Sequence, residues 1–181
     1  MPGRIDDSIP FRPLRIAVLT VSDTRDATSD RSGDILVERL RGAGHVLADR
    51  AIVRDEVEEI AARLRAWAED PEIEVVLTTG GTGVTGRDVT PEALAQVVEK
   101  RIPGFGELFR WLSYAKIGTS TIQSRADAGV LEGTYIFCLP GSPGACRDAW
   151  DGILATQLDI RYRPCNFAEM MPRLREHESR G

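Results

Sequence analysis

The feature that most restricts how this chain can fold is its alternation of apolar, strand-like runs with segments of helical periodicity. Residues 15–21 and 73–79 are dense in aliphatic and β-branched side chains, and 45–53 is a further strand candidate. Such runs are typical of strands that are buried on both faces. Between them, apolar residues recur at a spacing of three and four, as on one face of a helix. The alternation predicts an α/β fold, a three-layer α/β/α sandwich with a mainly parallel sheet.

Local signals give the expected limits of the helices. Asp55 is a suitable N-cap for one helix, and Thr90 followed by Pro91 is a strong helix start. The Pro-Gly-Phe-Gly stretch at 103–106 is expected to interrupt helical structure. The expected helices cover about 32–41, 56–69, 90–100, 107–116 and 145–154, and two further strands are expected at about 125–130 and 134–139.

The 181 residues fit a single domain, which we expect to occupy residues 14–174. The polar segment 1–13 lacks the apolar core of a signal peptide, and we interpret it as a flexible arm or as a segment that orders against a partner subunit. Residues 175–181 form a charged tail. Since the chain has no run of eighteen apolar residues, we expect no transmembrane helix and a cytoplasmic location.

The charge and the cysteines argue against some classes of function. A formal net charge of −5 argues against non-specific binding to nucleic acid, which uses a basic surface. Cys138, Cys146 and Cys165 match no zinc-site spacing, so we expect small buried side chains, with a redox or metal-binding thiol as the alternative. Three tryptophans at apolar helical positions are expected in the core or at a subunit interface: Trp67, Trp111 and Trp150.

Three of the predicted strands end in loops of unusual composition, at residues 22–24, 78–83 and 140–144. Because the carboxyl ends of parallel strands meet at one edge of a sheet, we expect these loops to lie together. Glycines allow the backbone to approach a ligand closely, and successive free N–H groups can surround an anion. The loops therefore predict a phosphate-binding edge, with tight structural turns as the alternative.

Charged side chains accompany these loops. Asp23, Asp55 and Asp88 follow strands or lie inside glycine-rich loops, where carboxylates can hold Mg²⁺ against a phosphate. The alternative is structural: Asp55 as a helix cap, and the other two as turn residues. Arg87 and Arg125 can complement a phosphate, or form ordinary salt bridges.

At these loops the sequence resembles the molybdopterin adenylyltransferase family of molybdenum cofactor biosynthesis, in its MogA/MoaB branch. The matching stretches, which extend over about residues 14–174, are Val21-Ser22-Asp23-Thr24, Thr79-Gly80-Gly81-Thr82-Gly83, Arg87-Asp88-Val89-Thr90-Pro91-Glu92-Ala93 and Leu139-Pro140-Gly141-Ser142-Pro143. Two further stretches are similar to the MoaB type: Gly118 through Ala126, and Arg163-Pro164-Cys165-Asn166-Phe167.

The resemblance implies a nucleotidyltransferase that moves AMP from ATP to the terminal phosphate of molybdopterin and releases pyrophosphate, with Mg²⁺ required. It implies Asp55, Asp88 and Ser142 as catalytic residues, with Asp55 and Asp88 also holding Mg²⁺. It further implies a homo-oligomer, a trimer or hexamer, and a molybdenum insertase as a partner. The implied nucleotide- and pterin-binding residues are Ser22, Asp23, Thr79, Gly80, Gly81, Thr82, Gly83, Ser124, Arg125, Pro140 and Gly141.

Two other functions remain open at this point. One is a non-catalytic protein of the same pathway that binds molybdopterin or nucleotide. The other is a nucleotide pyrophosphatase related to competence-damage proteins, which share the glycine loop. Turnover of a nucleotide without pterin would distinguish this last class from the other two.

Overall fold

The computed structural model describes residues 3–176 and contains one six-stranded sheet, one two-stranded sheet and the helices that cover them. The strands are β1 (Arg4–Ile5), β2 (Arg15–Val21), β3 (Val46–Val53), β4 (Val75–Thr79), β5 (Lys100–Arg101), β6 (Asp127–Leu131), β7 (Thr134–Leu139) and β8 (Tyr162–Arg163). The helices are α1 (Arg31–Gly42), α2 (Val57–Ala68), α3 (Thr90–Val97), α4 (Pro103–Ile117), α5 (Pro143–Ala149), α6 (Ala155–Gln157) and α7 (Phe167–Met170). Two 3₁₀ turns (Gly118–Gln123 and Met171–Arg173) and a π-helical turn (Trp150–Leu154) complete the regular structure.

The strand order of the large sheet is β3-β2-β4-β7-β6-β5. The first four strands in this order are parallel, and β6 is antiparallel to both of its neighbours. The chain runs outward from β2 to β3 and then returns past β2 to β4, so the strand order reverses between β2 and β4. A reversal of this kind opens a crevice at the carboxyl ends of the two strands, where ligands bind in open α/β sheets.

Helices cover both faces of the sheet, because the central strands carry apolar side chains on both faces. On one face, Leu36 of α1, Phe105 of α4 and Cys146 of α5 belong to a single buried cluster. On the other face, Ile60 of α2 and Leu94 of α3 pack against the sheet. Full burial of each such side chain contributes about 1.5–3 kcal/mol. The predicted three-layer α/β/α sandwich is confirmed.

Two helix limits differ from the sequence-based prediction. Helix α3 ends at Val97 instead of continuing to about residue 100, because Lys100 and Arg101 pair with β6 as an edge strand. Helix α4 begins at Pro103, where an interruption was expected. Proline suits the first turn of a helix, since its missing N–H has no partner there. Gly106 then allows α4 to lie directly against the backbone of Ala126.

Neither predicted helix cap is correct. Glu56 precedes α2 and makes no side-chain cap, while Asp55 donates its backbone N–H to Asp23 Oδ1 at 3.2 Å. Thr90 is already helical, and its hydroxyl donates to the carbonyl oxygen of Gly80 at 2.8 Å. Helix α2 therefore has no side-chain cap, and the Thr90 hydroxyl is used by the glycine loop instead of capping α3.

Within the N-terminal segment, which we interpreted as a flexible arm or as a segment that orders against a partner subunit, β1 pairs antiparallel with β8 of the same chain. Trp67 and Trp150 are buried, whereas Trp111 is 71% exposed. Cys138 and Cys146 are buried as expected, and the exposed Cys165 departs from the expectation. Within residues 3–176, no helix is long and apolar enough to cross a membrane.

Candidate functional site

A cleft of about 490 Å³ opens at the crevice between β2 and β4, and we call it the rim cleft. The three loops predicted to meet do meet here. Its lining consists of Val21, Ser22, Thr24, Arg25, Gly80, Gly81, Thr82, Gly83, Asp88, Gln123, Ser124, Pro140, Gly141 and Ser142. Four predicted site residues are not part of that lining: Asp23, Asp55, Thr79 and Arg125.

The glycine loop after β4 turns through two residues of positive φ, Gly80 at 104° and Gly81 at 65°. Thr90 holds this turn from outside. Its hydroxyl donates to Gly80 O at 2.8 Å, and its backbone N–H donates to Gly81 O at 3.0 Å. In a trans peptide the C=O and the following N–H point in opposite directions. The N–H groups of Gly81 and Thr82 therefore point away from Thr90.

These N–H groups have no acceptor within the part of the chain that the structure describes. The N–H of Gly80 is already used, since it donates to Leu139 O at 3.1 Å. Across the rim cleft, the N–H groups of Gly141 and Ser142 also lack an acceptor among residues 3–176. Unpaired N–H groups on two sides of one cleft are the donors that phosphate oxygens require.

Two serine hydroxyls shape the loops on either side. Ser22 Oγ accepts hydrogen bonds from the backbone N–H groups of Thr24 and Arg25 at 3.2 and 3.1 Å. Ser142 Oγ caps α5 by accepting from Ala145 N at 3.2 Å. A hydroxyl that only accepts still has its own hydrogen to donate. Ser142 is therefore both a helix cap and a potential donor to a ligand.

Thr79 does not face the rim cleft. It is fully buried, and its hydroxyl donates to Pro140 O at 3.0 Å and contacts Cys146 Sγ at 3.2 Å. The side chain thus links the end of β4 to the loop after β7. Its role in the structure is to keep two cleft-forming loops together.

Arg125 also acts from outside the cleft. Its guanidinium donates to Gly83 O at 2.6 Å and to Asp88 O at 2.7 Å, and it forms an ion pair with Glu92. Its backbone N–H donates to Thr82 O at 2.9 Å. The neighbouring Ser124 lines the cleft. Arg125 therefore braces the glycine loop, and its charge is not directed at a ligand.

The three aspartates have different surroundings. Asp23 accepts two hydrogen bonds from Arg87, at 2.9 and 3.0 Å, and these lower the pKa of its carboxyl. Burial acts to raise the pKa of Asp88, but hydrogen bonds from Thr85 outweigh it and the net shift is downward. These two carboxylates therefore remain charged and already accept hydrogen bonds from neighbouring residues.

Asp55 is different, because its carboxylate makes no ion pair and no side-chain hydrogen bond in the described part of the chain and accepts only from the backbone N–H of Asp23. It lies beside the glycine loop, since a Cβ built on Gly81 would come within 3.2 Å of Asp55 Oδ1. Burial, followed by the charge of Asp23, raises the pKa of Asp55. A partly buried carboxylate that has no cationic partner is stabilised by an added cation.

Mg²⁺ is usually bound by one or two carboxylates together with substrate phosphates and water. No group of three or more potential metal-ligating side chains occurs within residues 3–176. Asp55, which lies beside loops that can bind phosphate, fits a Mg²⁺ site that has few protein ligands. Asp88 fits it less well, because its carboxylate already accepts hydrogen bonds from Thr85. Of the two predicted Mg²⁺ ligands, Asp55 is the better suited.

Sequence reasoning missed Arg25, the cation among the residues that line the rim cleft. Its guanidinium donates to Gly141 O at 3.0 Å and to Ser32 Oγ at 2.7 Å, and it pairs with no carboxylate within residues 3–176. A cation without a counter-charge, in a cleft that also presents unpaired backbone N–H groups, is a candidate anion ligand. Its position directly after Thr24 was the available signal, but sequence does not show that it reaches Gly141.

Comparison with known proteins identifies the family of this chain. A family model described as a probable molybdopterin binding domain matches residues 17–159. Molybdenum cofactor biosynthesis protein B of Escherichia coli (strain K12) is 51% identical over 160 residues, covering 88% of this chain and 94% of the relative. The protein of that name from Bacillus subtilis (strain 168) is 43% identical over 146 residues, covering 80% of this chain and 86% of the relative.

Solved structures give the same result. A crystal structure of molybdenum cofactor biosynthesis protein B matches with a TM-score of 0.82 and 38% sequence identity, covering 91% of this chain and 98% of that chain. The matched family segment, 17–159, contains all three loops of the rim cleft. The chain therefore belongs to the probable molybdopterin-binding domain family of the molybdenum cofactor biosynthesis proteins, alongside the B (MoaB) proteins.

Proposed function

We propose that this protein acts in molybdenum cofactor biosynthesis, binds molybdopterin in the rim cleft and transfers AMP to it from ATP. An oxygen of the terminal pterin phosphate would attack the α-phosphorus of ATP. The bond from that phosphorus to the oxygen bridging to the β-phosphate would break, and pyrophosphate would leave. One observation supports this function. Backbone N–H groups without an acceptor lie on two sides of the same cleft, those of Gly81 and Thr82 on one side and those of Gly141 and Ser142 on the other.

Two anionic groups must approach each other in this reaction, so the main tasks of the protein are positioning and charge compensation. The pterin phosphate is already an anionic nucleophile and needs no strong general base. Holding both reactants in line can lower the barrier by roughly 7–11 kcal/mol. The four N–H groups and Arg25 supply fixed positive potential where charge concentrates.

Asp55 is the residue we assign to Mg²⁺ in this mechanism. The ion, when bound, neutralises charge on the nucleotide phosphates and makes the pyrophosphate a better leaving group. Asp23 and Arg87 fix the backbone on which Asp55 stands, through the hydrogen bond from Asp55 N to Asp23 Oδ1. Asp88 keeps the 83–88 loop closed by accepting from Thr85.

A second candidate is a non-catalytic protein that binds molybdopterin or nucleotide in the same pathway. It is favoured by one observation: Asp23 and Asp88 already accept hydrogen bonds from side chains, which leaves Asp55 as the one of these three carboxylates available to a metal ion within residues 3–176. Binding needs the N–H groups, which are present on both loops. Catalysis also needs carboxylates that can hold Mg²⁺ beside the bound phosphates.

The decisive experiment mixes the purified protein with ATP, Mg²⁺ and molybdopterin, and measures pyrophosphate and adenylylated pterin together. An adenylyltransferase forms both products in equal amounts. Asp55→Asn should reduce turnover by roughly 100-fold, the size typical for loss of one group that stabilises transition-state charge. The matched control is Glu58→Gln, which removes an exposed carboxylate on α2 that makes no ion pair in the described region.

Each other outcome has a definite meaning. Tight pterin binding without either product supports the non-catalytic candidate. Pyrophosphate release without pterin contradicts both candidates and indicates nucleotide hydrolysis. Equal loss of activity in the Asp55 and Glu58 variants would show that the carboxylate at position 55 has no specific role.

We also propose that the protein works as a homo-oligomer, a trimer or hexamer. The support is the exposure of large apolar side chains on α4 and the turn that follows it, with Trp111 71% and Ile122 77% exposed. Exposed apolar surface of this kind often marks a contact between proteins. Sedimentation velocity of the full chain measures the assembly directly.

A further inference from the structure

His45 is a buried titratable residue that takes no part in the rim cleft. It directly precedes β3, at the amino-terminal end of the sheet, whereas the rim cleft lies at the carboxyl ends of the strands. Its Nδ1 accepts a hydrogen bond from the backbone N–H of Leu14 at 3.1 Å. Leu14 directly precedes β2 and follows residues 3–13, which we call the arm. A ring nitrogen that accepts from an N–H carries no proton, so this contact requires the neutral imidazole with its hydrogen on Nε2.

Aromatic packing places the same imidazole between the arm and the core. The ring of Phe11, in the arm, lies 5.3 Å from the ring of His45, and the ring of the buried Trp150 lies 6.1 Å from it in an edge-on arrangement. Gly44 leaves the space that Phe11 occupies, since an added Cβ there would lie 3.0 Å from Phe11 Cε1. His45 therefore contacts the arm through a hydrogen bond at its end and through an aromatic ring within it.

The other attachments of the arm are few. Its strand β1 pairs with β8 over two residues, and the N–H of Asp6 donates to the carbonyl oxygen of Arg161 at 2.9 Å. The guanidinium of Arg161 lies 5.1 Å from the centre of the Phe11 ring, and Arg12 forms an ion pair with Glu74. A pair of such short strands is marginally stable without further packing. Docking of the arm therefore depends on the contacts made by the imidazole.

The charges around the ring do not hold a proton on it. Asp159 and Glu74 are the carboxylates of residues 3–176 whose charge acts on His45, and both favour the protonated form. Neither makes a hydrogen bond with the imidazole, and each already has a cationic partner. Asp159 pairs with Arg161 at 2.7 Å, and Glu74 pairs with Arg12. Protonation of the ring would therefore leave a buried cation without a direct counter-charge.

Burial has the larger effect and lowers the pKa of His45 overall. On the remaining side of the ring, the charged neighbour of Trp150 is Asp151, which is paired with Arg39 at 2.9 Å. Because the pKa in the docked state lies below the ordinary value of 6.5, the neutral imidazole stabilises docking above that pH. This contribution is lost as the pH falls from about 6.5 to the pKa of the docked state.

We propose that His45 is a protonation switch that releases the N-terminal arm in mildly acidic solution. The incoming proton binds Nδ1, the ring nitrogen that carries no hydrogen, and sets a second donor against the N–H of Leu14. The hydrogen bond to Leu14 is lost, and a positive charge is left in a buried aromatic environment. Departure of the arm exposes the imidazolium to water, which removes the cost of burying it. The switch lies at the opposite end of the sheet from the rim cleft and does not depend on the function proposed there.

Hydrogen–deuterium exchange of the full chain, followed by mass spectrometry, measures docking of the arm at about pH 7.5 and about pH 5. The lower value is above the range in which ordinary carboxylates titrate. After correction for the intrinsic exchange rate, we expect peptides that cover the arm and Leu14 to lose protection at the lower pH. The limit is about tenfold for each unit by which the pKa of His45 is lowered in the docked state. Peptides that cover β4 should keep their protection.

Two substitutions separate the acceptor from the charge. His45→Gln retains an oxygen that can accept from Leu14 and cannot be protonated in this range, so its arm should be protected equally at both pH values. His45→Phe retains an aromatic ring but has no acceptor, so its arm should exchange rapidly at both. Equal protection of the wild-type arm at the two pH values overturns the proposal, and so does an acid release of the same size in His45→Gln. Loss of protection in β4 together with the arm also overturns it, because it would show general acid unfolding.

Discussion

Replacing Gly80 with alanine tests the description of the glycine loop most directly. Gly80 has φ 104°, and an added Cβ would lie 2.2 Å from the carbonyl oxygen of Val21. That oxygen belongs to the backbone of a central strand, and the N–H of Gly80 is held by Leu139 O. Neither side of the clash can therefore move without breaking the contact between β2, β4 and β7.

The expected loss of stability has two parts. An alanine forced into left-handed backbone costs about 1–2 kcal/mol. Overpacking against fixed neighbours costs about 1–3 kcal/mol more. For Gly80→Ala we therefore expect about 2–5 kcal/mol in the free energy of unfolding. In a domain of this length each kcal/mol corresponds to about 2–4 °C, so the melting temperature should fall by roughly 10 °C.

Gly86→Ala is the matched control in the same loop region. A Cβ at Gly86 meets no heavy atom within 4 Å, and its φ is not positive. Its free energy of unfolding should stay within about 0.5 kcal/mol of the wild type. Urea and thermal unfolding of both variants measure the difference. If Gly80→Ala unfolds at the same temperature and urea concentration as Gly86→Ala, the proposed geometry of the loop after β4 is wrong.

Three further predictions concern other parts of the molecule. Burial acts to raise the pKa of Asp30, but hydrogen bonds from Arg50, Thr20 and Gly33 lower the pKa overall. The charged Asp30 carboxylate therefore stabilises the fold above about pH 4, and this contribution is lost in more acidic solution. Asp30→Asn should cost about 2–3 kcal/mol at pH 7 and flatten the decline of unfolding free energy below pH ~4, as urea titrations at several pH values would show. Arg125→Gln should lower the free energy of unfolding by about 1–3 kcal/mol, because it removes the bonds to Gly83 O and Asp88 O; an unchanged urea midpoint would contradict that bracing role. Trp111→Glu should shift the sedimentation profile toward the monomer at unchanged secondary structure, and an unaltered oligomer would place the subunit contact elsewhere.

Much of the architecture was predictable, because buried positions recur at a regular spacing along a helix or strand and are occupied by apolar residues. The run at 15–21 became β2 with the expected limits, and the loops after β2, β4 and β7 came together as predicted. Both results follow from local pattern combined with one topological rule: parallel strands place their carboxyl ends at the same edge. The resemblance at the loops also indicated the correct family.

The tertiary structure decided the role of each side chain within the site. Arg125 and Gly83 lie 42 positions apart in the sequence, and Asp23 and Arg87 lie 64 apart, yet these pairs form hydrogen bonds. Such contacts separate Asp55, whose carboxylate accepts only from a backbone N–H in the described chain, from Asp23 and Asp88, which accept from side chains. Sequence identifies the chemical groups near a site, but hydrogen bonds between distant segments determine which of those groups remain available to a ligand.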